Sequence, residues 1–165
     1  MNRFVDYQKR GIELPEGCKE LVEVLQLAKP ANKRSQVRPP EGLADVGYYL
    51  SRLLSSAARF RSFWIHGDPA AVIALFCDPR GLRALVLVDL GREQAVRRAF
   101  AALNIPPIQD DLLTPPHGPC SRALIYSLPL AAFETAQFVR ELLTKGLGLA
   151  EDVVLEFEFH EKSAA

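Results

Sequence analysis

The chain has 165 residues, of which 48% are apolar and 24% charged, enough for one globular domain with a substantial core. Twenty basic residues balance twenty acidic ones, so net charge does not point to a nucleic acid or an anionic membrane as partner. The three cysteines, Cys18, Cys77 and Cys120, are odd in number and widely spaced, which excludes a disulfide framework and a CxxC metal or redox motif.

In chain order, Met1–Gly11 is polar with a few large residues (Phe4, Val5, Tyr7). Leu21, Val24, Leu25 and Ala28 then recur at helical spacing and predict a helix over Glu16–Ala28, with Pro15 near its start. Lys29–Glu41 carries three prolines and the basic residues Lys29, Lys33, Arg34 and Arg38 without apolar periodicity, and reads as a solvated linker. The chain thus divides into an N-terminal helical extension with a basic linker (1–41) and a single α+β domain (42–165).

Leu43, Val46, Leu50, Leu53, Leu54 and Ala57 predict the domain's first helix, to about Ala58. Phe60–Ile65, Ala70–Cys77 and Arg83–Val88 are apolar strands. His66-Gly67-Asp68-Pro69 and Asp78-Pro79-Arg80-Gly81 supply turns between them, and connections this short force antiparallel pairing. Continuous apolar character over Ala70–Cys77 is expected of a strand covered on both faces. A helix follows over Gly91–Leu103, with Val96, Ala99, Phe100 and Leu103 as its stripe. Asn104–Cys120 holds Pro106, Pro107, Pro115, Pro116 and Pro119 and reads as a long loop. Arg122–Leu128 is a strand and Leu130–Lys145 a helix with Gly146 as its C-cap. Over Val153–His160, Val153, Leu155, Phe157 and Phe159 alternate with Val154, Glu156, Glu158 and His160, the pattern of a strand with one wet face.

The expected fold is therefore α+β: a five-stranded, mostly antiparallel sheet, element order ααβββαβαβ, with helices mainly on one face. The helix–βββ–helix–strand order over Leu43–Leu128 resembles the start of the type III secretion chaperone-like fold, and that resemblance implies a small dimeric binding protein. The final helix and strand depart from it.

No nucleotide-binding, metalloprotease, nucleophile-elbow or calcium-loop motif is present, and the sequence points away from an enzyme: no catalytic, cofactor or metal residues are assigned. Asp89-Leu90-Gly91-Arg92 at a strand–helix junction reads as an ordinary turn. His66, His117 and His160 would approach a metal site only if distant strand ends converge. His117 and Cys120 would form a reactive pair only with a hydrogen bond between them. Asp110 and Asp111 read as solvated loop acids, and Glu156 and Glu158 as charges guarding a strand.

The leading expectation is a non-enzymatic protein-binding or assembly domain, homodimeric and cytoplasmic, with no cofactor, because apolar segments (Phe4–Tyr7, the first helix, Ile105–Leu113) remain outside the core. The alternative is a small-molecule-binding protein or enzyme with a pocket between the sheet and the 104–120 loop. Trp64, His66, His117, Cys120, Arg122 and Tyr126 would line it.

Overall fold

The computed structural model describes residues 41–68, 71–114 and 120–162. The helix expected over Glu16–Ala28 and nearly all of the basic linker lie outside these residues. The elements are α1 (Val46–Ser55), β1 (Phe60–Asp68), β2 (Ala71–Asp78), β3 (Gly81–Asp89), α2 (Glu93–Ala101), β4 (Pro107–Leu113), β5 (Ser121–Ser127), α3 (Ala132–Glu141) and β6 (Glu156–Lys162). The strands form one six-stranded sheet in the order β4-β5-β3-β2-β1-β6, and every neighbouring pair is antiparallel. The α+β class holds. Among the described residues no helix is long and apolar enough to cross a membrane.

The sheet gains its sixth strand from the segment read as a loop. Residues 107–113 form β4, paired with β5, with a bulge between Pro107 and Gln109. Propline-rich flanks, two acids and outward-facing Ile108 and Leu112 hide the strand in the sequence. All three are tolerated because β4 is an edge, where missing donors and exposed side chains cost little. The first turn also differs from expectation. β1 runs on to Asp68 through a bulge at Gly67, and the Leu155 side chain lies where a Cβ on Gly67 would stand. The second turn is as expected: Asp78 pairs with Gly81, the Asp78 carboxylate accepts the Arg80 N–H at 2.8 Å, and Gly81 takes φ +119°. Gly146 does not cap α3. It belongs to a π-helical turn, Leu142–Gly146, and Gly148 two residues later carries the positive φ.

All three helices pack on one face of the sheet, the helix face. α1 supplies Val46, Tyr49, Leu50 and Leu53 at i, i+3, i+4 and i+7; α2 supplies Val96 and Phe100; α3 supplies Ala136, Phe138 and Val139. They meet Phe63, Ile65, Ile73, Leu75, Val86, Leu124 and Phe157. Tyr49 stacks on Phe157 with centroids 4.4 Å apart, and Phe100 lies parallel to Tyr126. β2 is buried on both sides along its length, as its unbroken apolar run predicts. The opposite face carries a second apolar cluster: Trp64, Val72, Ala74, Phe76, Leu85, Leu87, Leu113, Ala123 and Ile125.

Candidate functional site

Register assembles the second face. Side chains alternate along each strand, so residues paired across the sheet share a face. Trp64 (β1) stands opposite Ala74 (β2), Ala74 opposite Leu85 (β3), and Leu85 opposite Ile125 (β5). The neighbouring row runs Val72, Leu87, Ala123. Together they make a continuous apolar strip across four strands. Its margins are polar. Beyond Ile125 and Ala123 stand Gln109 and Asp111 of β4. At the β2–β3 end, Arg83 lies 4.9 Å from the Phe76 ring and pairs with Asp78. Burial alone would raise the Asp78 pKa, but the Arg80 N–H and the Arg83 and Arg80 guanidinium groups outweigh it and leave the pKa lowered.

The margin at β1 and β6 carries most of the chemistry. Ser62 pairs with His160, Trp64 with Glu158 and His66 with Glu156. The Glu158 carboxylate sits between two imidazoles. His160 Nε2 is 3.3 Å from one oxygen and His66 Nε2 3.3 Å from the other. Only 15% of the Glu158 side chain is exposed. The His160 hydrogen bond, followed by the His66 imidazole close beside it, holds its carboxyl well below the usual carboxylate range. The His66 contact meets the ion-pair distance without good hydrogen-bond angles, which leaves its buried Nε2 without a proper hydrogen-bond partner. The two imidazoles face different oxygens of one carboxylate rather than a common point. Among the described residues no group of three His, Cys, Asp or Glu side chains is placed to hold a metal. Ser62 Oγ accepts the Trp64 indole N–H at 3.3 Å. The cluster clasps the edge strand β6 to β1 and presents a charged rim to the apolar strip.

A second ionic cluster lies on the helix face. Arg97 of α2 donates to Glu93 at 2.7 Å and to Asp110 of β4 at 2.6 Å, and Arg122 of β5 reaches Asp110 at 3.2 Å. Asp110 foremost raises the Arg97 pKa. Asp110 is thus a partner of two arginines rather than merely solvated, and Gln109 donates to Asp111 at 2.6 Å. Beneath them Tyr126 is pushed up to about 12 by burial, and its hydroxyl has no hydrogen-bond partner among the described residues. Arg92 donates to the Leu147 carbonyl at 2.6 Å, so the Asp89–Arg92 turn serves packing.

The residues singled out in the sequence fall on both sides of the sheet. Trp64 and His66 stand on the second face, while Arg122 and Tyr126 stand on the helix face against α2. Cys120 immediately precedes β5, which is three strand spacings, about 14 Å, from β1. Its sulfur is 4.0 Å from Thr114 Oγ1. His117 lies outside the described residues. Cys77 is buried, which raises its thiol pKa. His66 and His160 do converge, on Glu158 (no local spacing signals this) because β1 and β6 meet only through long-range pairing.

No family model, no curated protein and no solved structure matches the chain.

Proposed function

We propose that the domain is a non-enzymatic protein-binding or assembly module that forms a homodimer, with the second face of the sheet as its platform. The observation that carries this reading is the strip Trp64–Ala74–Leu85–Ile125, apolar at its centre and framed by Glu158, His66, Arg83, Gln109 and Asp111. An apolar centre with a polar rim is the usual anatomy of a protein interface. The sheet edges are less suited to a partner strand. β4 carries Pro107, a bulge, Asp110 and Asp111, and β6 carries Glu156, Glu158 and Glu161, features that discourage edge pairing. The charged groups near the strip are engaged with one another, in the Glu158 and Asp78 clusters, rather than converging on a reaction centre.

Light scattering coupled to size exclusion tests the reading. The expected mass is twice the 18.3 kDa of the chain. Trp64→Ala, which strips the largest group from the platform, is expected to weaken self-association at least tenfold on the dissociation constant while far-UV circular dichroism is retained. A single-chain mass at every concentration overturns the homodimer.

A further inference from the structure

We infer that His66, Glu158 and His160 form a proton-operated clasp on the edge strand β6: protonation of the two imidazoles tightens β6 on β1, and deprotonation loosens it. Among the described strands β6 ends the sheet and pairs with β1 alone. Side chains alternate along both strands, so Glu156, Glu158 and His160 share the second face with His66, Trp64 and Ser62. His66 Nε2 lies 3.3 Å from one Glu158 oxygen and His160 Nε2 3.3 Å from the other. All three side chains are shielded, none more than 20% exposed. The neighbouring strand brings no charge against them: β2 sets Val72 beside His66, Ala74 beside Trp64 and Phe76 beside Ser62. Arg83 and Asp78, at the far end of that strand pair, are engaged with each other. Arg61 and Glu161 pair in register on the helix face, where Arg61 donates to the Leu53 carbonyl. Among the described side chains this leaves Glu156, exposed and in register with His66, as the other charge on the margin.

The charge balance of this margin turns on the imidazoles. While both are neutral, Glu156 and Glu158 stand against no cation; with both protonated, two cations meet two carboxylates. A shielded carboxylate attracts an imidazolium more strongly than a neutral ring. His66 shows the difference best. Its Nε2 is buried, has no hydrogen-bond partner among the described residues and meets Glu158 at poor angles. A neutral ring gains little from such a contact, whereas a charged one gains Coulomb attraction that does not depend on angle. His160 in its neutral form donates to Glu158 in one tautomer only, and the charged ring donates from both nitrogens. The sign follows by linkage. Proton uptake that strengthens contacts of the folded state adds stability that is complete below the imidazole range and is lost as pH rises through it. That window runs from about pH 5.5 to about pH 8. Glu158 stays ionised throughout, because its carboxyl is held low. Release of β6 bares the outer edge of β1 beside Trp64, so pH acts on the platform from its margin.

Amide hydrogen exchange in the full-length chain tests the clasp, with protection corrected for the intrinsic pH dependence of exchange. Protection of the β6 amides is expected to be about tenfold higher at pH 5.5 than at pH 8, while the amides of β2 and β3 change less than about threefold. In Glu158→Gln, and separately in the double variant His66→Gln, His160→Gln, the β6 pH dependence is expected to fall below about threefold. Equal β6 protection at the two pH values in the wild type, or higher protection at pH 8, overturns the inference. A pH dependence that survives in either variant also overturns it, because other groups must then carry it. A change of the same size in every strand replaces the local clasp with a global effect and overturns it as well. The single variant keeps both rings and the double variant keeps the carboxylate, so failure of one to fold leaves the other decisive.

Discussion

On the helix face, Phe63, Leu75, Val86 and Leu124 meet side chains from α1, α2 and α3. On the second face, Trp64, Ala74, Leu85 and Ile125 are as deeply buried, yet none of the described helices touches them. The first face closes through segments adjacent in the chain, each helix following or preceding the strands it covers. Equal burial therefore does not mean equal surroundings: one face is packed by the three described helices, and the other forms a separate apolar cluster.

The two ionic clusters differ in the same way. Glu158, on the second face, is mostly shielded between two imidazoles, whereas Asp110, on the helix face, is 34% exposed between two guanidinium groups at the β4 edge. Shielded hydrogen-bonded charges contribute more and respond less to salt than exposed ones.

The largest effect is expected where the helix face is broken. Phe100→Ala removes the ring stacked on Tyr126 and packed edge-on against Phe138, and should cost about 3–5 kcal/mol in denaturant unfolding. Glu158→Gln should cost less, about 1–2 kcal/mol near pH 5.5. The sign follows from the lowered carboxyl pKa. Its stabilisation is fully present above the unfolded carboxyl's titration near 4.3 and is lost as pH falls toward the folded value. Wild type and variant stabilities should converge in strong acid, and a constant difference down to about pH 2 would refute that assignment. Asp110→Asn should have the smallest effect, under about 1 kcal/mol, and most of it should vanish in about 1 M salt. Loss of more than that would mean that the Arg97–Asp110–Arg122 contacts hold β4 in the sheet rather than decorate it.

Much of the domain was legible locally. The three strands from Phe60 to Asp89 announce themselves by apolar content and short turns, and the alternation through Phe157 and Phe159 marks a half-covered strand, which is the β6 edge. β4 was not legible, because its acids, prolines and exposed Ile108 and Leu112 are what an edge strand tolerates and also what a loop contains. The site was less legible still. Glu158 and His160 sit on one short strand, but His66 lies about ninety residues away and joins them only when β6 pairs with β1.

The amino-acid pattern by itself determined the helices and strands of the described domain other than β4, because periodicity and turn chemistry act over a few residues. Only the tertiary structure decided the strand order, the sixth strand, the division of the apolar residues between two faces and the meeting of His66 with Glu158. Those follow from long-range pairing, whose register is set by side chains far apart in the chain.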